Sequence, residues 1–168
     1  MRLTGSDMFH DLLPHLAAHG TMAVAAFSAA TLLPGGSEAV FVALLASGYG
    51  HPWLLFLVAS LANTVGGMTS WWIGTQIARG ADSERGHAWM KRFRLPADMS
   101  QRIERLFARW GWASLLFCWL PVIGDPITLF AGMARYPALP TAILTGIART
   151  GRYALVWAAT AGVMSWWG

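Results

Sequence analysis

Four side chains in this sequence have the types and spacing to do chemistry together: the carboxylates of Glu38 and Asp125 and the guanidiniums of Arg149 and Arg152. The two acids are the only ones in the hydrophobic parts of the chain. The two arginines stand in a long apolar segment that carries no acid. A charge in apolar surroundings is costly unless it pairs or meets water, and two acids against two bases balance formally. One reading is an ion-pair network that only holds segments together. The other is a site whose internal pairs compete with a ligand. Arginine grips phosphate with a forked geometry, and a desolvated carboxylate can take up a proton near neutral pH. These parts suit a phosphate-bearing amphiphile exchanged against a proton.

The acids occupy matching places in a repeated pattern. Leu33-Pro34-Gly35-Gly36-Ser37-Glu38 and Leu120-Pro121-Val122-Ile123-Gly124-Asp125 each set a carboxylate four residues after the proline of a Leu-Pro step. Each is followed by an apolar run, a glycine and another proline: Gly48 and Pro52, then Gly132 and Pro137. Irregular backbone at membrane depth persists only where protein or a wet cavity satisfies it, so a duplicated, proline-broken, acid-bearing segment points to a transporter-like architecture. Pro34, Gly35, Ser37, Pro121 and Gly124 are then expected to line a cavity, with Asn63 and Thr64 from the segment between the two copies. The plainer alternative is a pair of turns between short helices.

Composition supports a membrane setting. Of 168 residues, 55% are hydrophobic and 12% charged, about half the charged share of a soluble domain, and the mean hydropathy is +0.46. Several tryptophans flank apolar runs, among them Trp53, Trp71, Trp72, Trp110, Trp112, Trp166 and Trp167, the placement of interfacial anchors. The formal charge is +4, and most of the Lys and Arg residues fall between Arg79 and Arg109. A basic loop between apolar segments marks the cytoplasmic side and can attract anionic headgroups. Nucleic-acid binding is not expected.

The elements that must position the four charges follow. Residues 1–15 read as an amphipathic surface helix ended by Pro14, carrying Asp7 and Asp11 where a signal peptide would not. Residues 16–50 read as a hairpin whose halves are too short to span. Residues 53–74 form a transmembrane helix with a small, polar face at Asn63–Ser70 that packs on protein, either on the hairpins or in a homo-oligomer. Residues 75–105 form the basic cytoplasmic connection, with Asp98 as a helix cap. Residues 106–135 form a second hairpin, broken at Pro121 and Pro126. Residues 137–168 form one long C-terminal helix with both arginines on one face. The fold class is an all-α integral membrane protein, an inverted repeat of re-entrant helical hairpin plus transmembrane helix. The hairpins enter from opposite sides and their tips approach near the midplane.

Other candidates are weaker. His15 and His19 have metal-ligand spacing but no third ligand accompanies them, so they read as a surface pair. The single cysteine, Cys118, has no adjacent base to activate it. No metal, cofactor or enzymatic constellation is expected.

Three stretches carry a family resemblance: Leu33-Pro34-Gly35 through Glu38; Leu61 to Gly67 with Trp72-Ile73-Gly74; and Trp110-Gly111 through Pro121, Asp125, Ala131-Gly132-Met133 and Pro137. Together they resemble the DedA family of membrane proteins, also called SNARE-associated or VTT-domain proteins, and within it the YqaA-like branch. The resemblance implies a bacterial inner-membrane protein with two facing re-entrant hairpins. It also implies a role in lipid movement, since members are linked to polyprenyl phosphate translocation, lipid scrambling and maintenance of proton motive force. Typical members carry arginines three residues before and after the second-hairpin proline. Cys118 and Gly124 stand there in this chain, and Arg149 and Arg152 are expected to act in their place. The leading expectation is a flippase or scramblase of a phosphate-bearing lipid, possible protons included among its partners. The alternatives are a proton- or cation-coupled small-solute transporter and a non-transporting membrane scaffold.

Overall fold

The computed structural model describes residues 5–30, 36–79, 105–120 and 124–167. Most of these are helical, and no strand occurs among them. Five α-helices carry the fold: α1 (Gly5–Ala29), α2 (Ser37–Ser47), α3 (Pro52–Arg79), α4 (Gly124–Met133) and α5 (Ala138–Trp167). Residues 105–110 are α-helical and run into a 3₁₀ segment, Gly111–Trp119.

α3 is the organising element. It opens on Pro52, whose missing N–H costs nothing in a first turn. Its buried residues Ala59, Ser60, Asn63, Gly66, Gly67, Ser70 and Gly74 recur at helical spacing and form a stripe of small side chains. Neighbours press on that stripe closely. A Cβ on Gly66 would lie 2.7 Å from the Ala30 Cβ, and one on Gly74 would lie 2.1 Å from the Leu129 carbonyl oxygen. Gly132 is the reciprocal case, 2.0 Å from the Trp71 carbonyl oxygen. The small-residue face is therefore filled from within the chain, by α1, α4 and α5, and is not left over for a second copy.

Contacts along α3 fix the directions of the rest. The Gly50 N–H donates to His15 Nδ1 at 2.9 Å, and Ser70 Oγ donates to the Ala30 carbonyl at 3.4 Å. α1 thus runs alongside α3 in the same direction and ends level with its middle. α2 returns to the start of α3, closed by Gly48 in the left-handed conformation (φ 72°). α5 runs antiparallel to α3: Trp71 Nε1 donates to the Tyr136 carbonyl at 3.0 Å, Gly146 faces Thr64, and Trp157 stacks edge-on against Trp53 at 4.7 Å. The 3₁₀ segment follows α5 from Trp112 beside Tyr136 to Trp119 beside Arg152. α4 then turns back toward Tyr136.

Burial is reversed relative to a water-soluble bundle. Ser37, Ser60, Asn63, Ser114, Thr128, Thr141, Thr145 and Arg149 are buried, whereas Leu61, Leu139, Val24, Ile147 and Leu155 are more than half exposed. Of the described helices, α3 is both long and apolar enough to cross a membrane by length and composition. α5 has the length, 30 residues, but its two arginines and several threonines dilute its apolarity.

Three local expectations are corrected. Pro14 does not end a short N-terminal helix at residue 15; it lies inside the continuous α1. A proline there costs about 3 kcal/mol, and the core contacts of Ala18, Met22 and Ala26 beyond it offset that. Pro126 does not break the second hairpin, because it falls in the first turn of α4, where no N–H is needed. Asp125 is accordingly helical, although it sits at the helix start. The entering arm of that hairpin is 3₁₀ rather than α over nine residues, longer than such runs usually last. At about 2.0 Å per residue it reaches about 18 Å where α-helix would reach about 14 Å. Pro34, Gly35, Pro121, the Asp98 cap and nearly all of the basic connection at 75–105 lie outside the described residues.

Candidate functional site

The structure brings Glu38, Asp125, Arg149 and Arg152 together. α5 places the two arginines three residues apart, so their side chains leave the same face. α2 carries Glu38 in its first turn and α4 carries Asp125 in its first turn. Arg149 Nη2 meets Asp125 Oδ1 at 2.7 Å, and Arg152 Nε meets Glu38 Oε1 at 2.9 Å. Each arginine is thus paired with an acid from a different half of the chain.

A hydrogen-bond network ties the pairs to the scaffold. Arg149 Nη1 donates to the Asn63 carbonyl at 3.1 Å and to Asn63 Oδ1. Asn63 Nδ2 donates to the Tyr153 hydroxyl at 3.2 Å, and that hydroxyl donates to Ser37 Oγ at 2.9 Å. Asn63 and Tyr153 are fully buried, where an unpaired polar group costs about 1–3 kcal/mol. The chain Asp125–Arg149–Asn63–Tyr153–Ser37 joins α4, α5, α3 and α2 and ends one residue from Glu38. The Tyr153 ring packs edge-on against Phe41 of α2 at 5.5 Å.

Ala29, Cys118, Leu120 and Gly124 border a small opening beside Asp125, Arg149 and Arg152. Its volume is about 10 Å³, space for roughly one water molecule. The Gly124 Cα approaches the backbone here: a Cβ on it would lie 2.2 Å from the Cys118 carbonyl oxygen. Cys118 Sγ lies 3.7 Å from the Thr145 carbonyl, to which it donates.

The other expected cavity residues take different places. Gly124 lines the opening. Asn63 stands behind Arg149 and binds it directly, whereas Ser37 is joined to it only through the Tyr153 hydroxyl and Asn63. Thr64 turns away, its hydroxyl donating to the Ser60 carbonyl at 2.7 Å and its methyl facing Gly146. Sequence reasoning gave neither Tyr153 nor Gly67 a part in the site. Gly67 seats the Arg149 guanidinium: a Cβ there would lie 2.8 Å from both Cζ and Nη2. The spacing of Gly67 and Asn63, one helical turn apart, was the available signal. Tyr153 adjoins Arg152, but its partner Ser37 is 116 positions away.

His15 and His19 lie apart from this site. The ring of His19 donates through Nδ1 to the His15 carbonyl, and His15 receives the Gly50 N–H, so the pair fastens α1 to the turn before α3. No group of three or more potential metal ligands occurs among the described residues.

Residues 33–162 match the VTT domain family model. The chain is 37% identical over 144 residues to the inner membrane protein YqaA of Escherichia coli (strain K12), covering 84% of this chain and 89% of that protein. The same identity and coverage hold for the protein of that name in Shigella flexneri. An uncharacterized protein of Haemophilus influenzae is 31% identical over 79% of this chain and 80% of its own length. No solved structure matches.

Proposed function

The chain belongs to the VTT-domain (DedA) family, and from that premise we propose that it moves a phosphate-bearing lipid across the bacterial cytoplasmic membrane. Relatives named as inner membrane proteins support that location, with the basic connection on the cytoplasmic face. The observation that carries the reading is the pairing of two adjacent arginines with two carboxylates from separate hairpins, under an exterior of leucine, isoleucine and tryptophan. In this reading α1–α2 and the 3₁₀ segment–α4 are re-entrant hairpins entering from opposite faces, an inverted repeat in which the first turns of α2 and α4 bring Glu38 and Asp125 to the arginines. A lipid phosphate replaces a carboxylate on a guanidinium, protonation of the displaced carboxylate favours that exchange, and loss of the proton returns the carboxylate to its arginine and releases the headgroup. The opening is too small for a headgroup at rest, so passage requires α2 or α4 to move away from α5.

The size of that opening also favours a second reading, a proton- or cation-coupled carrier of a small solute. Vesicles reconstituted with the purified chain separate the two. Fluorescent phosphatidate in the inner leaflet is expected to reach the outer leaflet far faster than in empty vesicles, and Glu38→Gln with Asp125→Asn together is expected to abolish the gain. Ion flux that ignores lipid type would favour the second reading. Lipid movement untouched by the double substitution would reject the carboxylate exchange, and neither lipid nor ion movement above that of empty vesicles would leave a scaffold.

A further inference from the structure

Arg149 and Arg152 look equivalent in sequence, but their surroundings differ. The Arg149 side chain is 3% exposed. Its two terminal nitrogens engage Asp125 Oδ1, the Asn63 carbonyl and Asn63 Oδ1. Gly67 stands against its guanidinium with no room for a methyl group. Drawing Arg149 onto a ligand would strip the buried Asn63 of its partner and strand a buried charge, a costly exchange.

Arg152 is held loosely. Its side chain is 15% exposed, and that of Glu38 is 25% exposed. Arg152 Nε and Glu38 Oε1 are in contact as charges, yet neither atom has an aligned hydrogen bond. Nη1 reaches the Trp119 carbonyl only at 3.5 Å, the outer limit for such a bond. The guanidinium carbon lies 5.7 Å from the centre of the Tyr153 ring. A guanidinium offers five N–H donors, and among the described residues Arg152 engages few of them at the edge of the opening, with a carboxylate resting where an anionic oxygen would bind.

We infer that the two arginines divide the work: Arg152 is the group that exchanges its carboxylate for phosphate, and Arg149 is a positioning residue that keeps α3, α4 and α5 assembled around it. The inference rests on the phosphate-carrying reading proposed above. Its ligand chemistry is a phosphate monoester or free phosphate. Glu38 is then a competitor of the ligand, so removing its charge strengthens phosphate binding.

Thermal unfolding of the purified full chain in detergent micelles tests this, because a ligand that binds the folded state raises the midpoint. The probes are dioctanoyl phosphatidate, inorganic phosphate and, as control, dioctanoyl phosphatidylcholine. The wild-type midpoint is expected to rise with phosphatidate and not with phosphatidylcholine. A rise with inorganic phosphate too assigns recognition to the phosphate group alone, and a rise with phosphatidate only assigns it to the lipid; both support the inference. Glu38→Gln is expected to reach half-effect at about fivefold less phosphatidate, the loss of a partly exposed ion pair. Arg152→Gln is expected to lose the rise while its unliganded midpoint stays near wild type. Arg149→Lys is expected to lower the unliganded midpoint and keep the rise; should it not fold, Gly67→Ala crowds the same guanidinium and is expected to behave alike. A rise that survives Arg152→Gln, or that vanishes in Arg149→Lys with an unchanged unliganded midpoint, overturns the division of roles. No rise in either wild type or Glu38→Gln overturns the phosphate reading itself, and this inference with it.

Discussion

At the scale of single residues, the site depends on one missing side chain as much as on the four charged ones. Gly67 makes the seat for Arg149, and the added methyl of Gly67→Ala would fall 2.8 Å from the guanidinium carbon. Overpacking of this kind costs about 1–3 kcal/mol. Gly146 provides the comparison. The Cβ of Gly146→Ala would meet only Thr64, at 3.5 Å and 3.6 Å, an ordinary contact, and alanine is the better helix former by about 1 kcal/mol. Thermal melts are therefore expected to show a lower midpoint for Gly67→Ala and an equal or higher one for Gly146→Ala. The four charges were legible in the sequence because an ion in an apolar run has to find a partner. Which acid pairs with which base was not legible, nor was the role of Tyr153. Those depend on how α5 is rotated against α2 and α3, which no local pattern encodes.

At the scale of elements, the closest joint is between α3 and α4. Gly74 and Gly132 each present a bare Cα to the other helix's backbone, with carbonyl oxygens 2.1 Å and 2.0 Å from where a Cβ would stand. No flexible side chain can yield there, so either Gly74→Ala or Gly132→Ala is expected to prevent stable accumulation of folded protein in the membrane fraction. Gly151→Ala, which meets nothing within 4 Å, is expected to accumulate normally; size-exclusion profiles in detergent distinguish these outcomes. The small-residue face of α3 was readable from Asn63 to Ser70, since the helical period puts Asn63, Gly66, Gly67 and Ser70 on one side. Proline was a poorer guide. Pro126 marks the start of α4 rather than a break, and Pro14 is absorbed inside α1, because position within a helix and packing beyond it outweigh the residue's local preference. The 3₁₀ arm had no sequence signal, as Gly111–Trp119 is as apolar as an α-helical arm would be.

At the scale of the whole molecule, the turns flanking the two hairpins lie at opposite ends of α3: residues 48–51 precede its first turn, while Tyr136 bonds to Trp71 near its last. If α3 crosses the bilayer, those turns face opposite compartments. Single cysteines at His51→Cys and Ala134→Cys, each made with Cys118→Ser, test this with a membrane-impermeant maleimide. Position 51 is expected to label on intact cells and position 134 only after the membrane is opened; labelling of both from one side would remove the inverted arrangement. The backbone contact of Gly74 with Gly132 has a mechanical consequence. Asp125 rides on α4, which that contact locks to α3, whereas Glu38 rides on the eleven-residue α2, which has no comparable joint. The two halves are therefore unequal partners: if the protein opens as proposed, the α4 half is the fulcrum and α2 the lever.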